Sequence, residues 1–329
     1  MRSNKNSIRI ILSILLIFSA NNKAFTFGFL AHRTINRMAV FALPPEMFSF
    51  YKKHIEYLSE HSIDPDKRSR GIIGEDKKHY IDIDHYGDHP FDSLPKYWND
   101  AIAKYTEDTL QKYGINPWWI NKMVYSLTQA FKDEDFDNIL YISANIGHYI
   151  GDACTPLHST QYYDGKVTYQ KGVHAFWETR IPELEADQYN FLLGRAVYAE
   201  NITDFIWQIT KESHSAIDTI FQIYDSLNLN FPDDKKFVYD EKGIIIKKQF
   251  SQAYVTEFYK SSHNMVEKRM RRAVLAVASL WFTAWVNAGQ PDLSRLENKE
   301  ISNKLKKEHE ETEKMWETGK PIGRPNPEE

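Results

Sequence analysis

Apolar residues recur at three- and four-residue spacings along almost the whole chain, as in Ile35, Met38, Ala39 and Ala42 and again in Ile139, Ile142, Ile146, Tyr149 and Ile150. That period puts them on one side of a helix and gives a strand no consistent face, so the pattern predicts an all-α fold. Turn chemistry agrees. Only 14 glycines and 13 prolines occur in 329 residues, too few for a loop-rich sandwich, and neither common glycine-rich phosphate cradle is present. The last long helical stretch runs from Tyr254 to Ala288 and meets a stop signal at Gly289 and Pro291. One departure is Lys236 to Phe250, where Phe237, Tyr239 and then Ile244, Ile245 and Ile246 flank Lys242-Gly243 in the pattern of a surface β-hairpin.

Both ends read differently from the middle. Arg2, Lys5 and Arg9 precede or enter the apolar run Ile8 to Ala20, which is too short to span a bilayer comfortably and suits the core of a secretory signal. Ala24-Phe25-Thr26 is the best small-x-small cleavage site. Residues 1–26 are therefore expected to be a cleaved signal peptide, with Phe27 the mature amino terminus and the protein secreted or periplasmic. The segment has no lipobox cysteine, so no lipid anchor is expected. It carries four basic and no acidic residues, so its loss moves the formal net charge from −4 to −8, which disfavours a general polyanion binder. Beyond Leu293 the chain is dominated by Glu, Lys and Asn, and residues 294–329 are expected to form a solvated helix fraying into a disordered tail. No repeat or Gly-, Ser- or Pro-rich linker divides residues 27–293, so one domain is expected there.

The chemistry lies in histidines and carboxylates. A single cysteine, Cys154, excludes an internal disulfide framework and a Cys-based zinc knuckle, and its apolar neighbours give it the character of a small core residue. A His with an acid four residues later shares one helix face, a good start for a metal site. Five such pairs occur: His148/Asp152, His174/Glu178, His214/Asp218, His263/Glu267 and His309/Glu313. The last three lie in polar or amphipathic surroundings with no further ligand nearby and read as ordinary solvated or capping pairs. The first two differ. His148 and Asp152 end an apolar helix, Thr155-Pro156 forces a turn that can return His158 to the same point, and His174 and Glu178 open the next helix a short loop away. Upstream, His32, the Asp64-Pro65-Asp66 turn and the His79, Asp82, Asp84, His85 stretch offer more ligand-type groups.

Together these residues resemble the zinc-dependent phospholipases C and the related single-strand-specific zinc nucleases. The resemblance runs from Phe27 to about Leu293, and H-x-x-x-D-x-x-x-x-x-H followed by H-x-x-x-E is its most specific element. It implies an all-helical domain holding a buried cluster of three Zn²⁺ per chain. One zinc would be held by Asp66, His79, His148 and Asp152, the last bridging to another metal. A second would take His158, His174 and Glu178. The third would take Asp152, His32 and the amino nitrogen and carbonyl oxygen of Phe27, where the family usually has Trp. Of Asp64 and Asp66, the Pro-Asp context and the distance to His79 favour Asp66, which the resemblance also makes the catalytic group that orients or deprotonates the attacking water.

The charge of such a cluster favours an anionic phosphodiester. Phospholipid and single-stranded nucleic acid are the two substrates the resemblance offers, with peripheral membrane contact in the first case and no obligate protein partner in either. Glu178 in the last ligand position resembles the phospholipase branch, where the nucleases usually carry Asp. Tyr162, Tyr163, Phe176 and Trp177 could cage a choline cation or stack on a base, although core packing fits Phe176 and Trp177 better. The basic runs at Lys67, Arg68, Arg70 and at Lys268, Arg269, Arg271, Arg272 could grip phosphates or form solvated faces. A zinc-binding protein without turnover is the competing class.

Overall fold

The computed structural model describes residues 28–242 and 245–320. The expected signal peptide, the expected terminus at Phe27, the hairpin turn at Gly243 and residues 321–329 lie outside the described residues. As the apolar period requires, the described chain is built of helices, with one hairpin.

Helix α1 (Gly28–Ala39) is followed by α2 (Pro45–Lys53), α3 (Ile55–Glu60) and the single turn α4 (Asp64–Arg68). After a stretch of turns and short helices, among them Trp98–Tyr105 and Glu107–Lys112, come α5 (Asn116–Lys132) and α6 (Phe136–Cys154). Nearly every residue of α6 is buried, the polar Asn145, His148 and Asp152 included, as expected of a helix surrounded on all sides. It is the axis of the fold, with α1, α5 and α10 (below) packed around it. The approach of α1 is close because α6 carries two glycines there. A Cβ on Gly147 would stand 1.5 Å from Asn36 Oδ1, and Asn36 Nδ2 donates to the carbonyls of Ala144 (3.0 Å) and Leu58 (2.8 Å). A second, smaller core of Ile81, Ile83, Tyr86, Leu110, Trp118 and Trp207 supports the stretch between α4 and α5.

Past the site-bearing turns at residues 155–185, α7 (Ile202–His214) and α8 (Ile217–Asn230) lead into the expected hairpin. Strands β1 (Phe237–Lys242) and β2 (Ile245–Phe250) pair antiparallel from Phe237↔Phe250 to Lys242↔Ile245. The stretch expected as one helix from Tyr254 is two, α9 (Gln252–Ser261) and α10 (Met265–Asn287). The break falls at His263 and Asn264, both left-handed with φ of 51° and 59°, and Asn is among the few non-glycine residues that tolerate this conformation. The expected stop stands, with Gly289 at φ 90°. Beyond Leu293 the helix α11 (Asn303–Thr318) is docked, with Leu305 and Thr312 buried, and so is not the freely solvated helix the composition predicts. No described helix is long and apolar enough to cross a membrane.

Candidate metal centre

Eight of the nine expected ligands lie among the described residues, and the fold brings all eight to one place. The first group joins three segments. Helix α6 presents His148 and Asp152 one turn apart, α4 presents Asp66, and the turn before the second core presents His79. His79 Nδ1 lies 3.0 Å from both His148 Nε2 and Asp152 Oδ2. His148 Nε2 lies 3.3 Å from Asp152 Oδ2 and 3.5 Å from Asp66 Oδ1, which is 3.7 Å from His79 Nδ1. A tetrahedral zinc with ligand bonds of ~2.0–2.1 Å has ligand-to-ligand edges of ~3.3 Å. The donor set therefore has the size and the N/O chemistry that zinc requires. His148 is also oriented for the task. Its Nδ1 lies 2.8 Å from the Ser62 carbonyl oxygen, which can only accept, so Nδ1 keeps its proton and Nε2, the atom a metal would take once its own proton is displaced, faces the centre.

The second group forms at the end of α6. Thr155 turns extended before Pro156, and the short turn Pro156–Ser159 swings His158 back as the sequence predicts. The next helix starts at Gly172, whose φ of 92° suits glycine, and Asp164 accepts from the Gly172 and His174 amides. The turn Phe176–Arg180 is wound as a π-helix, a form frequent at functional sites. His158 Nε2, His174 Nε2 and Glu178 Oε2 make a triangle with sides of 3.0, 3.1 and 3.1 Å. If these three held a zinc, their spacing would fit one face of a tetrahedron and leave the fourth corner to water or substrate.

Asp152 links the groups. While Oδ2 faces His79 and His148, Oδ1 lies 3.6 Å from His32 Nε2 and 3.9 Å from His158 Nδ1. The His32 ring stacks on His148 at 4.0 Å, and Gly28, at the start of α1, lies in the wall of the same cleft as His32, Gly151 and Glu178. Burial opposes charge throughout this cluster, yet the mutual attraction of its groups prevails. His148, His79 and their neighbours hold Asp66 below, and Asp152 well below, the usual carboxylate range, and His174 and His158 do the same for Glu178. His32 is the exception, since burial and the nearby His148 lower it to about 4 and keep it neutral.

Other expected participants are placed elsewhere. Asp64 turns away from the centre, its Oδ2 accepting from His61 Nδ1 (2.8 Å) and His309 Nδ1 (3.1 Å). Asp84 tethers the loop after His158 through Thr160 and the Gln161 amide, and His85 stacks on Tyr113. His214 serves Ser159, Asp218 meets Lys166, and Glu267 meets Tyr259 and Arg271. His309 and Glu313 are not a solvated pair, because His309 reaches Asp64 and Glu313 reaches Lys67. Phe176 and Trp177 are core residues, whereas Tyr163 stands against His174 at 5.6 Å. Cys154 is buried, which pushes its thiol up and leaves it inert.

Three supports escaped the sequence reading. Gly151 makes room for His32, since a Cβ there would stand 2.7 Å from His32 Nδ1. The Ser62 carbonyl is invisible because any residue could supply it. Behind His79, buried Arg68, Glu75, Asn145 and Tyr149 form a polar network. Only the glycines had a signal, two of them one turn apart in an otherwise apolar helix.

No curated protein matches the chain. Among solved structures it is similar to the crystal structure of Clostridium perfringens alpha-toxin from the avian strain SWCP, at 14% identity and a TM-score of 0.47. The similarity covers 81% of this chain and 65% of that one, so the chain spans somewhat less than two-thirds of that protein's length. The model of the zinc dependent phospholipase C family matches residues 31–220, more than half of the chain and a stretch holding His32, Asp66, His79, His148, Asp152, His158, His174 and Glu178, and the protein therefore belongs to the zinc-dependent phospholipase C family.

Proposed function

We propose that the protein is an exported phosphodiester hydrolase that holds three zinc ions and releases the phosphorylated headgroup of a glycerophospholipid. The observation that carries this reading is the two-sided placement of Asp152, whose Oδ2 faces His79 and His148 while its Oδ1 faces His32. Family membership supports a phospholipid in preference to nucleic acid. Zinc, when bound, supplies charge that neutralises the phosphodiester and makes water a competent nucleophile near neutral pH. The protein's own part is positional. Asp152, with 3% of its side chain exposed, is committed to holding the centre together, whereas Asp66, with 35% exposed, can reach the substrate side. With Oδ1 turned to His148 and His79, Asp66 has its second oxygen available to orient the attacking water and take its proton. His158, His174 and Glu178 leave one corner open, which favours turnover over mere zinc storage. The third zinc would complete its shell with the amine and carbonyl of Phe27, provided that cleavage falls immediately before that residue.

The test is hydrolysis by mature, zinc-loaded protein offered phosphatidylcholine and single-stranded DNA side by side, with Asp66→Asn as the blank. Release of phosphocholine, abolished in the variant, is expected. Preferential DNA cleavage would move the protein to the nuclease branch, and silence on both substrates would refute turnover on either.

A further inference from the structure

The docked helix α11 lies outside the residues matched by the family model and is tied to the two segments that carry Asp66 and His32. On α4, His309 Nδ1 is bonded to Asp64 and Glu313 to Lys67, so the residues on both sides of Asp66 are held by one helix. Tyr57 meets His309 Nε2 at 2.9 Å, and His61 stacks on the His309 ring at 3.6 Å. One turn and more further on, Arg70 lies 3.6 Å over the Trp316 ring and donates to the Trp316 carbonyl at 3.1 Å. The same indole packs on Phe29 of α1 at 5.3 Å, three residues before His32. Gly71 admits the contact, since a Cβ there would meet Met315 at 2.8 Å.

The His61, Asp64, His309 trio needs no metal. Both imidazoles share one carboxylate oxygen, and Lys67 Nζ lies 3.2 Å from the other, an arrangement complete without a cation. It differs from the centre itself, where imidazole nitrogens approach one another at 3.0 Å.

We propose that α11 is a positioning brace for the metal centre, with His309 and Trp316 acting through α4 on Asp66 and through Phe29 on His32. This rests on reading Asp66 and His32 as zinc ligands. Neither brace residue touches the centre. Their effect is to restrict the angle at which α4 and the start of α1 present their ligands, and removing such support typically costs about 10- to 100-fold in metal affinity or activity.

The experiment uses the full chain, loaded with zinc, as His309→Ala, Trp316→Ala and the conservative Trp316→Phe. Four quantities are read: the rate of zinc loss to a chelator, kcat and KM, the thermal midpoint of the metal-free form, and hydrogen exchange over residues 303–318. The alanine variants are expected to lose zinc about tenfold faster with a lower kcat, an unchanged KM and faster exchange in α11; the metal-free midpoint is expected to hold in Trp316→Ala and to fall in His309→Ala, which leaves buried Asp64 short of a partner. Trp316→Phe is expected to restore the parent values. Unchanged zinc loss in variants whose α11 exchanges faster would overturn the brace, and so would a metal-free midpoint of Trp316→Ala that falls in step with its zinc loss. Asp66→Asn on the intact chain separates the two readings. Rapid zinc loss there with inert brace variants removes the brace alone, whereas normal retention removes Asp66 as a ligand.

Discussion

His158 Nδ1 lies 2.8 Å from the main-chain carbonyl oxygen of His79. A carbonyl only accepts, so His158 carries its proton on Nδ1 and turns Nε2 toward His174 and Glu178. His79 thus serves one group of donors with its side chain and orients a ligand of the other with its backbone. Asp152 in turn joins the first group to His32, with Oδ2 on His79 and Oδ1 on His32.

Substitution of the shared carboxylate therefore has a different signature from substitution at one corner. Asp152→Asn is expected to lower zinc by more than one equivalent per chain and activity by at least about a hundredfold. His174→Asn should cost close to one equivalent. Metal analysis after gel filtration decides, and equal losses in the two variants would remove Asp152 from its linking position.

Alanine normally improves a helix over glycine by about 1 kcal/mol, but both glycines of α6 face α1. At Gly151 the added Cβ stands 2.7 Å from His32 Nδ1 and 2.9 Å from its Cε1, so Gly151→Ala must displace His32. Zinc content is expected to fall while the metal-free fold keeps its thermal midpoint, because one ring can shift within the cleft. Gly147→Ala is different, since Asn36 holds two backbone carbonyls and cannot move freely. A loss of about 1–3 kcal/mol in denaturant unfolding is expected there.

Such contrasts show what a sequence can carry. The helical class and the convergence of the candidate ligands on α6 and at residues 174–178 are legible because spacing within a helix is local. Asp66 was distinguishable from Asp64 only by context, since which carboxylate turns inward depends on the docking of α4. The role of His309 was not legible at all. Its neighbours Glu308, Glu310 and Glu311 give the composition of a solvated surface, and nothing local reveals that Asp64, 245 residues away, completes it.

In the metal-free protein, protonation of two ligands has a definite sign. Burial opposes charge on His148, but Asp152 and Asp66 outweigh it and raise the group from 6.5 to about 10. For His158, Asp152 and Glu178 outweigh burial and raise it to about 9. Raised folded values stabilise fully below the unfolded 6.5 and lose that contribution as pH climbs through 9 and 10. His32, lowered to about 4, is neutral throughout this window. Zinc must displace the same two protons. Between pH 6.5 and 10 the metal-free thermal midpoint is therefore expected to fall while the increment added by zinc grows, and calorimetry of both forms across that range checks the crossing trends.

Substrate choice follows from where the basic groups are engaged. Lys67 is bound to Asp64 and Glu313, Arg68 lies in the buried network with Glu75, and Arg70 covers Trp316. Arg269 donates to the Cys154 carbonyl and pairs with Glu212, Arg272 pairs with Glu212, and Arg271 serves Glu267. Six of the seven residues in the two basic runs thus brace the fold, Lys268 being exposed, and the runs are poorly placed to follow a phosphate backbone. A protein making 6–10 phosphate contacts loses about 10³–10⁵ in affinity between 50 and 200 mM salt. Here the phosphodiester would be held at the metal centre, so KM for a short-chain phosphatidylcholine is expected to change by less than about threefold over that range. Cleavage of single-stranded DNA with a KM that rises steeply over the same range would instead place a polyanion track on this surface and reopen the nuclease reading.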